Sequence, residues 1–183
     1  MACRNLSAGR RESCRDQVGG LKAIYFIDQG DTDYLSQYTF STDPATEGQI
    51  TGMGSNDITL YRYELKSFNS SFEQSNEVSR ENGTSFFTQT ATVVLKSQDT
   101  LTQKNLLAMS KTSPQAIIQD QNDNYFYLGL RNNLDVSVAI STGTALGDLN
   151  GYTLTITGVE PEMANFVDPT IINDNIHSNV VIG

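Results

Sequence analysis

Tryptophan is absent from this sequence, and histidine occurs once, at His177. A single imidazole near the end of the sequence leaves little material for a Ser-His-Asp or Cys-His nucleophilic site. The two cysteines, Cys3 and Cys14, both fall in the first fifteen residues. With so few soft ligands, no set at recognisable metal spacing is present. A disulfide between the pair would close a short loop, whereas a cytoplasmic start favours free thiols. Long apolar runs are also missing: nothing approaches the roughly 18 residues that span a bilayer, so no membrane partner is expected. The opening MACRNLSAGRRESCRDQ has charge but no apolar core of a secretory signal, which leads us to expect assembly in a cytoplasm.

Glycine-rich phosphate loops are absent in both common forms, GxxxxGK[ST] and GxGxxG at a strand-to-helix turn. Carboxylates are plentiful, among them Asp120, Asp123, Glu160 and Glu162. Paired-carboxylate glycoside chemistry, however, normally works in a groove with aromatic platforms, and tryptophan is lacking. Asp120-x-Asn122-x-Asn124 resembles the start of a calcium loop, but the following glycine and distal glutamate are missing, so it reads as a hairpin turn. Glu160-Pro161-Glu162 reads as a strand end followed by a rigid turn. The expectation is a protein that is no enzyme and takes no cofactor or metal.

Basic residues are scarce as well: 12 Lys and Arg against 21 Asp and Glu give a net charge of −9. Arg4, Arg10, Arg11 and Arg15 outnumber Glu12 and Asp16 in the first sixteen residues, a local +2 that leaves −11 on the rest. An acidic body argues against tight direct binding of nucleic acid, which needs Lys and Arg along the phosphates. A basic arm on such a body suits contact with a neighbouring molecule.

What the sequence has in quantity is β pattern. Residues 81–96, ENGTSFFTQTATVVLK, alternate: Phe87, Ala91, Val93 and Leu95 share one face, and Phe86, Thr88, Thr90, Thr92 and Val94 share the other. The segment YTLTITGVE (152–160) repeats the design, with Tyr152, Leu154 and Ile156 inward and Thr153, Thr155 and Thr157 outward. A half-buried strand usually meets water with charged side chains. A face of threonines suits a surface that is partly wet, or one that meets another sheet or subunit.

Other segments fill in the architecture. LKAIYFI reads as a buried strand, ITLYRYEL (58–65) as a strand with Tyr61, Tyr63 and Leu65 on one face, and LDVSVAIS (134–141) as one with Leu134, Val136, Val138 and Ile140 inward. Asn82-Gly83 predicts a tight turn joining 68–78 to 84–96, and Gln121-Asn122-Asp123 predicts a second hairpin. Asp99 or Thr100 caps one substantial helix at about 100–111, with Gln103 at capping-box distance from Thr100. Residues 29–57 are too long for a bare connection and read as a projecting loop around a short strand near Gln49–Met53. The expected fold is mainly β: an antiparallel β-sandwich or half-barrel of about seven strands with one α-helix. The domain covers 18–168, flanked by an N-terminal arm (1–17) and a C-terminal extension (169–183).

Three stretches together resemble tail tube proteins of long-tailed bacteriophages, a group of virion structural proteins. These are CRDQVGGLKAIYF from Cys14 to Phe26, ENGTSFFTQT followed by a helix, and GDLNGYTLTITGVEPEMANFV from Gly147 to Val167. The resemblance implies homohexameric rings that stack into a hollow tube, contact other tail proteins and pass double-stranded DNA without specific binding. It implies a virion location, with strands of adjacent subunits lining the lumen as one sheet. On this reading Asn69, Ser71, Glu73, Ser75 and Glu77 face the channel, while Arg10, Arg11, Tyr34, Tyr38 and Phe40 make contacts between rings. Alternatives are a head-tail connector, tail terminator or decoration protein, a ligand-binding β-domain using Tyr34, Tyr38 and Phe40, and, least favoured, a paired-carboxylate hydrolase.

Overall fold

The computed structural model describes residues 9, 17–27, 37–53, 58–66, 69–173 and 178–182. Strand β1 (Leu21–Ile27) is the centre of the larger of two sheets. It pairs antiparallel with β4 (Ile58–Glu64) on one side and with β7 (Gln115–Asp120) on the other. The eight-stranded sheet runs β12 (Ser178–Ile182), β4, β1, β7, β8 (Tyr125–Leu128), β11 (Asn165–Val167), β3 (Ile50–Gly52), β2 (Thr39–Phe40). The smaller sheet has four antiparallel strands in the order β5 (Ser71–Ser79), β6 (Thr84–Lys96), β10 (Gly151–Glu160), β9 (Asp135–Ser141). The mainly β, two-sheet sandwich expected from the sequence is therefore the fold.

Two apolar cores lie on opposite faces of the large sheet. The first is sandwiched between the sheets: Ile24, Phe26, Ile118 and Leu128 from the large one meet Ala91, Val93, Leu154 and Ile156 from the small one. The second holds Tyr25, Ile27, Leu60, Ile117 and Tyr127 on the far face, with Tyr38, Met53, Ile171 and Ile172 packed over them. Burial on both faces explains why LKAIYFI is apolar almost throughout, as doubly covered strands are. A bulge between Leu21 and Ala23 shifts the phase there, so that Leu21 joins Ile24 and Phe26 in the first core despite its odd spacing.

The single substantial helix among the described residues, α1 (Thr100–Met109), sits where the sequence predicted but ends two residues sooner. Its cap is Asp99, whose Oδ1 accepts the Thr102 N–H at 2.7 Å. Leu106 enters the first core, and Met109 packs against it.

Several expectations change. Strand segments among the described residues number twelve, because the short β2, β11 and β12 join the large sheet along with β3, the short strand expected near Gln49–Met53. The 29–57 stretch is not simply a projecting loop, since its described part, 37–53, returns to that sheet as β2 and β3. Past residue 168, α2 (Pro169–Asn173) buries Ile171 and Ile172 in the second core. Along β9, Ile140 is 53% exposed, because that end of the strand runs past the facing sheet. Leu60 of β4 is in the second core and Leu65, just past the strand's end, is in the first, while Tyr61 is exposed.

Candidate assembly surface: a hydroxyl-lined sheet with two open edges

The outer face of the small sheet follows from register. Thr92 is paired with Ser71 on one side and Thr155 on the other, and Thr155 with Ser137, so one row across all four strands carries only hydroxyls. The next row reads Glu73, Thr90, Thr157, Asp135, and the one after it Ser75, Thr88, Val159. Neighbours in such rows stand about 5 Å apart, so the side chains form a grid. Beta-branched threonine suits it twice over, with a stiff χ1 that favours strands and a hydroxyl that tolerates water. Thr88, Thr90 and Thr92 of β6 are half-buried, whereas Glu73, Ser75 and Glu77 of β5 are exposed. At positions sharing this face, charge is confined to Glu73, Glu77 and Asp135, with Lys96 at one end. Thr88 donates to Glu77 Oε1 at 3.3 Å.

Buried polar groups hold this sheet to the larger one. Gln89, 1% exposed, accepts the Gly129 N–H through Oε1 at 3.2 Å. Glu160, also buried, takes the N–H groups of Arg131 and Asn132 on one carboxylate oxygen, at 3.1 and 2.9 Å. The half-buried Gln74 Oε1 accepts from Ala164 N at 3.0 Å, and inside the small sheet the buried Ser70 hydroxyl, just before β5, accepts from Val94 N of β6 at 3.1 Å. A buried acceptor left without a donor would cost about 1–3 kcal/mol, so each contact fixes the sheet's position as well as stabilising it. Glu160 thus has a structural task. Gln89 and Glu160 interrupt an inward series of apolar residues, and that interruption is the sequence signal that identifies them.

The five residues expected to face a channel fall together. Ser71, Glu73, Ser75 and Glu77 lie in a line on the grid, and Asn69 is exposed just before β5. The residues expected between rings do not form one group. Tyr38 is 7% exposed, its ring 5.2 Å from that of Tyr127 and its hydroxyl 2.5 Å from the Tyr127 hydroxyl, so it belongs to the molecule's own core. Phe40 is 37% exposed on β2, at the edge of the large sheet. Arg10, Arg11 and Tyr34 lie outside the described residues.

Both ends of the small sheet are open. Among the described residues no strand pairs with the outer side of β5 or of β9. The hairpin end of β5 and β6 also overhangs the core, leaving Val78 65% exposed. Open edges of nine and seven residues, without proline, are templates for pairing with a further strand from another molecule.

Asp120 accepts from the backbone N–H groups of Asn122 and Asn124 and from both their side-chain amides, closing the 120–124 turn on itself. The Lys22 ammonium and the Gln119 amide hold the Asp123 carboxyl below the usual range. Backbone N–H groups of Ala145 and Thr144, helped by the Thr144 hydroxyl, do the same for Asp148. Burial pushes the Tyr125 phenol up to about 12. A cleft of about 620 Å³ runs between α1 and β4, past Tyr61, Tyr63, Leu101 and Ile182. Of its charged groups, Arg62 and Lys66 bridge Glu64 at 3.4 and 3.7 Å, and Lys96 and Asp99 also line it. No group of three or more metal-ligating side chains occurs among the described residues, and none of their helices is long and apolar enough to cross a membrane. Comparison with known protein families, with curated proteins and with solved structures found no match in any of the three.

Proposed function

We propose that this protein is a structural virion component: the subunit of a hexameric ring that stacks into the hollow tail tube of a long-tailed bacteriophage, the conduit for DNA. The observation that carries the reading is the small sheet, which combines a hydroxyl-rich, acidic face with two unpaired edges. Its four strands alternate in direction, so β5 and β9 run opposite ways. Copies related by rotation about a ring axis can therefore set β9 beside the next copy's β5 and continue the antiparallel alternation around the ring. Six copies would give about 24 strands; at about 4.8 Å spacing and about 40° tilt, the backbone barrel is about 48 Å across. Side chains would narrow that to a bore still wider than a DNA duplex. A wall dominated by Thr, Ser, Glu and Asp, whose one cation at the described positions of this face is Lys96 at one end, repels phosphates and offers them little to grip, so DNA would slide through without adhering. Joining the edges also removes the aggregation hazard that they pose on a free subunit.

Electron microscopy of the purified protein across a concentration series tests this reading. Long hollow tubes with a regular axial repeat are the expected result. Closed single rings would move the assignment to a connector or terminator. Monomers at every concentration would leave the open edges unexplained and favour a ligand-binding β-domain.

A further inference from the structure

The sequence has two Asn-Gly pairs, Asn82-Gly83 and Asn150-Gly151. Such pairs are chemically reactive: glycine has no Cβ to obstruct the approach of its own backbone nitrogen to the preceding side-chain amide. The fold treats the two pairs differently. Asn82 and Gly83 end the exposed four-residue loop, 80–83, between β5 and β6, where Ser79 is paired with Thr84. Gly83 has φ +63°, nothing lies within 4 Å of where its Cβ would stand, and its N–H makes no hydrogen bond among the described residues. By contrast, Gly151 is buried in β10, paired with Lys96 on one side and Ser141 on the other. A Cβ there would sit 2.0 Å from the Leu95 carbonyl oxygen, and the adjacent Asn150 carbonyl accepts the Ser97 N–H at 2.8 Å.

We propose that Asn82 is a self-modifying site that converts spontaneously to aspartate and isoaspartate in the native protein, while Asn150, though exposed, is protected because its reaction partner Gly151 is held in the sheet. The Gly83 nitrogen attacks Asn82 Cγ, forming the new amide bond of a five-membered succinimide. The bond from Cγ to Nδ2 breaks, and ammonia leaves carrying the displaced proton. Water then opens the ring at either carbonyl, giving a carboxylate on the aspartyl or the isoaspartyl branch. No oxidant, metal or enzyme is required. The product adds a negative charge to a hairpin tip that already carries Glu81 beside Arg80, and its isoaspartyl form lengthens the backbone there by one carbon. The inference is independent of the tube reading, because it rests on loop geometry alone.

The test is peptide mapping by mass spectrometry after incubating the full-length protein at mildly alkaline pH, with an isoaspartate-specific methyltransferase to count the isomer. The native protein should convert Asn82 about tenfold or more faster than Asn150, because Gly151 can react only when the sheet opens. In concentrated urea the two rates should become similar, which separates protection by the fold from intrinsic reactivity. Asn82→Gln, at a position exposed to solvent, should abolish the early acidic species on ion exchange. Equal native rates at the two sites would overturn the proposal, as would an Asn82 that stays intact in the folded protein yet converts in urea.

Discussion

Tyr127 shows how much one hydroxyl can hold. It donates to Gln115 Oε1 at 2.6 Å and meets the Tyr38 hydroxyl, and Gln115 in turn donates to the Leu130 carbonyl at 3.2 Å. All of this lies under the far face of the large sheet, away from water. Tyr127→Phe keeps the ring and removes the donor, so Gln115 is left with an unpaired buried oxygen. The expected loss is about 1–3 kcal/mol, seen as a lower urea midpoint with an unchanged slope. At this scale the sequence is a partial guide. Tyr38 stands among polar residues with no periodicity around it, and nothing local distinguishes an aromatic that folds back into a core from one that projects. Leu154 and Ile156, by contrast, are legible because the threonines between them fix which side is inward.

Legibility at the scale of elements follows the same physics. Strands β6 and β10 declare themselves because one face is dry and the other is not, so alternation survives in the sequence. β1, β7 and β8 are covered on both faces and show only apolar runs, which do not reveal which residue meets which core. β2, β11 and α2, two to five residues each, are too short to carry a period at all, and β3 is legible only as the short strand expected near Gln49–Met53. The open edge of β5 permits a sharp experiment. Successive residues of an edge strand point their N–H alternately into the sheet and away from it. Of Ser75→Pro and Asn76→Pro, one therefore removes a bond to β6 and destabilises the fold, and the other removes only an outward amide. The second variant should keep the native circular dichroism spectrum and lose the ability to form tubes. Assembly by both variants would show that β5 is not a joining edge.

On the scale of the whole molecule, charge decides how readily copies meet. β5 carries Glu73 and Glu77, β9 carries Asp135, and neither strand has a basic residue. Bringing β9 of one copy to β5 of the next would set like charges near one another, a brake on premature pairing. Raising ionic strength from about 0.01 to about 0.15 M shortens the screening length from about 30 to about 8 Å. Light scattering should accordingly report faster assembly at the higher salt, and the triple variant Glu73→Gln, Glu77→Gln, Asp135→Asn should assemble at one rate in both. Wild-type assembly that slows with salt would mean that attraction between unlike charges, such as a basic arm and an acidic neighbour, governs the joint.

The strand order of the small sheet also sets a timetable. β5 and β6 are consecutive, but the strand that completes β6 on its other side is β10, whose first residue lies 55 positions beyond the end of β6. A ribosome adding about 5–20 residues per second would leave the threonine-rich hairpin half-paired for several seconds, while α1 and β7 to β9 emerge. The newborn polypeptide must pass through that interval with a 13-residue strand that is paired on one side only and has one apolar face. Its inward glutamine and the glutamates of the adjoining β5 then act as guards during birth, before they serve any finished structure.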